Sequence, residues 1–212
     1  MAWYQVKEGN MLNELKDYNL GIEPIENFLN WYAEAINVED NADAMTLSTI
    51  ELPANRPFSR TVLYKGMKEG KIIFYSNYLS QKAQQIEHNN EVSLLFYWHK
   101  SIRQVRIQGR VTKMSEAESK VYFASRDRES QLASYISKQS SPVASKSELL
   151  KNLEAAKLKF ENKEVEKPIH WGGYLIEPYE FEFFIYGKYR LNDRFLYILN
   201  NEGKWDISRL QP

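Results

Sequence analysis

Between residues 44 and 114 the chain carries a run of extended segments: AMTLSTIE, FSRTVLYK, KIIFYSN, EVSLLFYWH and IRQVRIQGRVTKM. They are rich in β-branched and aromatic residues and are parted by the turns LPANRP, GMKEG and HKSI, with one helical stretch among them. This spacing predicts antiparallel strands in a sandwich or barrel. The β signal resumes near the C-terminus with GGYLIEP, EFEFFIYG, RLNDRFLYILN and KWDISRL, the last two joined at NNEG.

Helices fill the intervals. PIENFLNWYAEAI sets Phe28, Trp31, Tyr32 and Ala35 at helical spacing behind Pro24, which predicts a helix from about residue 24 to 37. YLSQKAQQIEHN opens behind Asn77 and Ser80, both suited to cap a helix. Ser115 and Glu118 form a capping-box pattern for a helix through about Ser125, and RESQLASYIS continues as a second helical run. A polar loop around Pro142 leads into the charged helix ELLKNLEAAKLKFENKE. The sum is a mainly β, α+β fold: one domain over residues 1–212, an antiparallel barrel with helices packed outside, and a mobile N-terminal segment over residues 1–23. A barrel of six to eight strands fills its interior with side chains, so a large flat ligand would lie on its outer face or at a subunit contact.

Composition narrows the function. Lys plus Arg and Asp plus Glu are 28 each among 212 residues, so no overall field draws the chain to nucleic acid or anionic lipid. No cysteine is present, which excludes disulfides, thiolate metal sites and a thiol nucleophile. The three histidines, His88, His99 and His170, are scattered, and no metal site is expected. No run approaches the roughly 20 apolar residues of a membrane span. The first residues carry neither a signal-peptide core nor a transit-peptide bias, so a cytoplasmic protein is expected. The Gly-rich nucleotide motifs, G-x-S-x-G and H-E-x-x-H are all missing.

What remains is chemistry for anions. Tyr122, Arg126 and Ser130 stand at i, i+4 and i+8. A continuous helix would carry them along one face, able to hold a phosphate, although a solvated polar face has the same spacing. Lys82 lies in the first turn of a helix, where free N–H groups already favour an anion. Arg60 and Lys65 are five apart and face opposite sides of a strand unless it ends at Gly66. Gln104, Gln139 and Ser140 add groups suited to the polar edge of a ring. In RLNDR, a strand would put Arg190, Asn192 and Arg194 on one face with no carboxylate between them.

Taken in order, SRTVLYKG, FYSNYLSQKAQQIEHNNEVSLLFYWH, RQVRIQGRV, YFASRDRESQLASYISKQSS, HWGGYLIEP and RLNDRFLYILNNEGKWDISRLQP closely resemble the pyridoxamine (pyridoxine) 5′-phosphate oxidase family. The resemblance runs from about residue 24 onward. It implies a homodimeric split β-barrel that binds FMN at the subunit interface, each site built from both chains. It implies oxidation of pyridoxamine or pyridoxine 5′-phosphate to pyridoxal 5′-phosphate, with oxygen as acceptor and hydrogen peroxide as product. By the same resemblance Arg60, Lys65, Tyr75, Ser76, Gln81, Lys82, Gln104, Gln139, Ser140, Phe184 and Arg194 stand at the flavin-contact positions. Lys65, Tyr122, Arg126, Ser130, Arg190 and Asn192 are substrate contacts; Arg190, lying over the pyridine ring, and Asn192 are the catalytic candidates.

The chain departs from the family pattern at three of these positions. Asn192 replaces the histidine of RLHDR, Gln81 an arginine at the FMN phosphate, and Phe184 a flavin-side tryptophan. The family's arginine-rich N-terminal lead is also missing. Two rivals share the architecture: an oxidase of another reduced aromatic ring, as in the phenazine-forming relatives, and a non-catalytic FMN or pyridoxal-phosphate binder. The Tyr122, Arg126 and Ser130 set favours a phosphorylated substrate, whereas Asn192 favours the binder.

Overall fold

Alternation of buried and open positions is clearest along the central strands. Met45, Leu47 and Thr49 of β1 (Ala44–Glu51) are buried, as are Val92, Leu94, Phe96 and Trp98 of β5 (Glu91–Trp98). So are Val105, Ile107 and Val111 of β6 (Arg103–Lys113). The intervening residues face away, which is the pattern of a sheet with one dry side. The computed structural model describes residues 13–212. It joins these strands in the order β2-β1-β5-β6-β7-β4-β3, all antiparallel, where β2 is Arg56–Leu63, β3 Met67–Lys68, β4 Lys71–Asn77 and β7 Trp171–Ile185. β2 also approaches β4, curling the sheet into a barrel.

β7 is where the barrel splits. Its first part, to Ile176, pairs with β4; its last, from Glu180, pairs with β8 (Asp193–Leu199), which carries β9 (Trp205–Arg209); β6 runs beside both. The sequence reading has two extended segments here, GGYLIEP and EFEFFIYG. The structure has one, because Pro178 sits opposite Gly109 where the register shifts and no ladder N–H is demanded of it. A Cβ at Gly109 would stand 2.6 Å from the Glu177 carbonyl, so the bulge depends on glycine.

Helix α1 (Pro24–Ala35) lays its aromatic stripe on the dry face, with Phe28 4.9 Å from Phe96 and Trp31 5.1 Å from Phe183 between ring centroids. Of the expected N-terminal segment, residues 1–12 lie outside the described residues. Leu15 and Leu20 are buried, and the Tyr18 hydroxyl donates to Asp193 at 2.6 Å. Helix α2 (Gln81–His88) follows β4 directly, and α3 (Glu116–Ser125), α4 (Arg128–Ile136) and α5 (Lys146–Lys159) form an outer layer. That layer has a small core of its own, Phe123, Leu132, Ala156, Phe160, Val165 and Trp171. The Ser115 capping box is present, the hydroxyl accepting from the Glu118 N–H at 3.3 Å.

One local expectation holds and one is overturned. The helix opened at Ser115 stops at Ser125 as expected, so Tyr122, Arg126 and Ser130 do not share one continuous helix. Arg126 has an extended ψ of 153°, and the Asp127 carboxylate accepts from the Ser130 N–H at 2.7 Å to start α4. An aspartate there stabilises a new N-terminus better than a helix interior. Nor do Arg190 and Asn192 belong to a strand. Lys188–Arg190 is a 3-10 turn with Tyr189 at φ 59° and Arg190 at φ 64°, and β8 begins only at Asp193. Asn192 instead turns back, its Oδ1 accepting from the Gly187 N–H at 3.1 Å. A Cβ on Gly187 would meet the Leu191 carbonyl at 1.9 Å, so the loop closes only over glycine.

Candidate active site

A cleft of about 990 Å³ opens between β2, the end of β4, the start of α2 and the α3–α4 layer. Arg60, Lys65, Tyr75, Ser76, Gln81 and Lys82 line one side; Tyr122, Arg126, Ser130, Gln139 and Ser140 line the other. Eleven of the sequence-predicted residues therefore meet in one place. The broken helix still delivers its three residues, because the turn at Arg126 and Asp127 folds the start of α4 against the end of α3. Arg60 and Lys65 share the cleft because β2 ends at Leu63 and the chain turns at Gly66, φ 97°, so strand alternation does not govern Lys65.

The cations here are held by neutral partners. Arg60 donates to the Leu47 and Phe58 carbonyls, to Thr49 Oγ1 at 2.6 Å and to Gln85 Oε1 at 3.0 Å. Lys82 Nζ, in a side chain that is almost wholly buried, donates to Ser76 Oγ at 3.1 Å, Ser80 Oγ at 3.3 Å and Gln139 Oε1 at 3.2 Å. Burial, with the Arg60 charge adding to it, pulls the Lys82 ammonium down to about 8. Burial also lowers Arg60 and Arg126 from the ordinary guanidinium range. Among the cleft cations and the described residues, Lys65 alone pairs with a carboxylate, Asp43, at 3.0 Å. Asp127, which lines the cleft, is occupied as the α4 cap.

Desolvated cations without counter-charges disfavour their own charged forms, and an anion entering among them relieves that cost. The donor set around Lys82 suits a phosphate monoester: Arg60 and Lys82 supply charge, Ser76 and Ser140 hydroxyls, and the first turn of α2 backbone N–H groups. The Gln81 N–H at that turn points to Ser140 Oγ at 3.2 Å. Gln81 itself contributes no charge, so this end of the cleft relies on Arg60 and Lys82.

Gln104, Phe184, Arg190, Asn192 and Arg194 do not line the cleft. Gln104 faces Phe184 across β6 and β7, and Phe184 faces Arg194 across β7 and β8, so these form a row on the outer face of the sheet. Arg190 and Asn192 lie in the loop just ahead of it. Sequence reasoning missed the residue that organises this face. Glu182, 2% exposed, accepts from Arg194 Nε at 2.8 Å and from Arg106 on its other side. Arg194 therefore does have a carboxylate, delivered by the neighbouring strand. Alternation in EFEFF places Glu182 beside Phe184 on one face, but only the strand pairing shows that Arg194 meets it. Trp171 and Ser134, which also line the cleft, were missed as well; each lies next in space to Arg126.

Comparison with known proteins gives the family. Residues 33–160 match the family described as pyridoxamine 5′-phosphate oxidase, and residues 171–212 the pyridoxine 5′-phosphate oxidase C-terminal dimerisation region. Curated relatives named pyridoxine/pyridoxamine 5′-phosphate oxidase include one from Bacteroides thetaiotaomicron, 43% identical with 93% of each chain covered. Another, from Teredinibacter turnerae, is 43% identical over 98% of each. Among solved structures, PhzG from Burkholderia lata 383, in complex with tetrahydrophenazine-1-carboxylic acid, superposes with a TM-score of 0.85 at 24% identity, covering 92% of this chain and 95% of that one. A pyridoxamine 5′-phosphate oxidase-related, FMN binding protein from Nostoc punctiforme gives 0.74 at 17% identity, covering 91% and 100%. These two likenesses establish the split-barrel fold. Among the described residues no helix is long and apolar enough to cross a membrane.

Proposed function

The chain belongs to the pyridoxamine 5′-phosphate oxidase family, and from that premise we propose that it oxidises pyridoxamine or pyridoxine 5′-phosphate to pyridoxal 5′-phosphate with FMN as cofactor. The observation that carries this reading is the cleft itself: Arg60, Lys82 and Arg126 are desolvated, hydrogen-bonded to neutral atoms, and divided between two walls. Two phosphates are needed by the reaction, one on each ligand.

Arg60, Ser76, Lys82, Gln139 and Ser140 would hold the FMN phosphate, with Tyr75 and Lys65 alongside. Tyr122, Arg126 and Ser130 would hold the substrate phosphate. The row of Gln104, Phe184 and Arg194, with Arg190 and Asn192, would come from a second copy of the chain in a homodimer, completing the ring-binding side. The C-terminal match to a dimerisation region supports that arrangement. The flavin supplies the hydride acceptor and, through its reoxidation, the route of two electrons to oxygen, which becomes hydrogen peroxide. The residues supply binding and orientation. Arg126 and Tyr122 fix the phosphate end of the substrate, and Arg190 the ring whose exocyclic carbon loses hydride. From the alcohol the hydroxyl proton leaves with it and the aldehyde remains; from the amine, water must also hydrolyse the resulting imine and release ammonia.

The test is peroxide formation by the FMN-loaded protein. Pyridoxamine 5′-phosphate should give peroxide and pyridoxal 5′-phosphate in equal amounts, and pyridoxamine without its phosphate far less. Equal turnover of both, or none of either, would overturn the reading.

A further inference from the structure

Arg126 stands at the junction of α3 and α4 with, among the described residues, a single side-chain hydrogen bond, from Nη1 to Ser134 Oγ at 2.7 Å. Its guanidinium carbon lies 4.8 Å from the centroid of the Trp171 ring. A planar guanidinium carries five N–H donors, so this arrangement uses one donor and one face and leaves the other donors free. Trp171 is itself fixed. It is 6% exposed at the start of β7, and Phe123 meets it edge-on at 5.1 Å and 69°. Its ring is parallel to Tyr75 within 8° at 5.3 Å and to Tyr122 within 2° at 6.3 Å, while Tyr75 and Tyr122 stack at 3.7 Å and 7°. One aromatic stack therefore spans β4, α3 and β7 along the cleft, and Arg126 rests against it.

We propose that Trp171 is a positioning residue for phosphate recognition: its ring sets the plane of the Arg126 guanidinium, Ser134 sets its rotation, and the remaining in-plane donors face the phosphate of the substrate. This rests on the functional reading above and adds residues to it. Trp171 then acts through Arg126 and on substrate affinity, with little effect on the chemical step. Charge on Arg126 makes the contact with Trp171 attractive, and a flat apolar ring orients it without competing for its donors, as a carboxylate would.

The experiment is a double-mutant cycle on FMN-loaded protein with pyridoxamine 5′-phosphate, using Trp171→Leu, Ser134→Ala and Arg126→Ala. Trp171→Leu should raise KM about tenfold and Ser134→Ala about threefold, with kcat within about twofold and flavin content unchanged. Inorganic phosphate, used as a competitive inhibitor, should weaken in parallel. Trp171→Phe, which keeps a ring, should recover most of the loss. In the Arg126→Ala background neither substitution should raise KM further, because the residue they act through is gone. Full additivity, or an unchanged KM in Trp171→Leu, would overturn the proposal. If Trp171→Leu fails to fold, Ser134→Ala and Trp171→Phe complete the same cycle, and additivity there overturns it equally. If the wild-type protein turns over no substrate, the functional reading fails by itself. Calorimetric titration of wild type and the variants with inorganic phosphate then decides the positioning role, equal affinities counting against it.

Discussion

The cleft and the outer face of β6, β7 and β8 both present arginines, yet they treat the charge in opposite ways. In the cleft, Arg60, Lys82 and Arg126 are desolvated and bonded to hydroxyls, amides and carbonyls. On the outer face Arg194 and Arg106 share the buried carboxylate of Glu182. A site for a dianion must leave its cations uncompensated until the ligand arrives, whereas a surface that meets a neutral ring or another subunit needs its charges settled beforehand. Under the proposed function, the phosphates would lie in the cleft and the flat, largely uncharged part of the ligands against the outer face. Among the described residues of one chain the two do not line one cavity.

The strongest way to break that comparison is complementation. Lys82→Ala disables the cleft and Arg194→Ala the outer face. If each site draws one half from each chain, a heterodimer of the two variants contains one site with both defects and one with neither. It should recover about half the wild-type activity from two nearly inactive parents. Activity no higher than that of the parents would show that both halves serve the same chain's site.

Next in size is Lys82→Ala itself. A charge-assisted contact contributes about 1.5–3 kcal/mol, so FMN affinity should fall roughly 10- to 100-fold. The lowered ammonium adds a sign that a merely structural lysine would lack. FMN favours protonated Lys82, whose free-protein value is about 8, while a phosphate monoester is already dianionic above a second pKa of about 6. Below pH 8 the proton is in place. Above it each binding event must take one up, so affinity should decline as pH rises through 8 to 9.5. Titration of apoprotein with FMN across that range checks it, and Lys82→Ala should flatten the slope. A flat wild-type profile would remove Lys82 from the phosphate.

Much of the cleft was legible because its residues lie in short segments whose ends the sequence marks. Ser115 caps α3, Gly66 marks the turn after β2, and Ser80 stands at the N-cap position of α2 with its hydroxyl donating to the Asn77 carbonyl; those junctions deliver Tyr122, Lys65 and Lys82. The outer face was less legible because its logic runs across strands. Nothing near Arg194 in the chain announces Glu182, which lies 12 residues earlier on a neighbouring strand. The expected alternation through Arg190 failed for a different reason. The loop adopts two consecutive left-handed residues, Tyr189 and Arg190, which no propensity favours outside glycine and asparagine.

Glu182→Gln sharpens the comparison from the other side. It keeps shape and one acceptor but leaves Arg106 and Arg194 facing each other with no negative charge between them. Both arginines are partly exposed, so solvent limits the cost. The expected loss is about 1–2 kcal/mol of stability and a several-fold weaker FMN affinity, smaller than for Lys82→Ala. Thermal melting and FMN titration together check it. A flavin affinity equal to wild type would mean that Arg194 needs no carboxylate to hold its place.

The smallest effects belong to Asn192. Its Oδ1 accepts from the Gly187 N–H at 3.1 Å and so closes the strained loop that carries Arg190. Asn192→Ala removes one neutral hydrogen bond, worth about 1 kcal/mol, and should lower turnover a few-fold while leaving FMN affinity alone. Arg190→Ala, which removes the group presented by the loop, should lower turnover and substrate affinity together and by more. Asn192→His separates support from charge. A neutral imidazole can still accept from Gly187, but a histidine with a reference pKa of about 6.5 becomes a donor-only cation below it. If Asn192 serves the loop, acidification from roughly pH 7.5 to 5.5 should loosen the loop in the mutant and lower its turnover relative to wild type. If it contacts the substrate phosphate instead, the same protonation adds attraction, and affinity relative to wild type should rise. Substrate phosphate titrates in this range as well, so the quantity to read is the ratio of mutant to wild type. A ratio constant across the range would mean that position 192 neither supports the loop nor senses the ligand's charge.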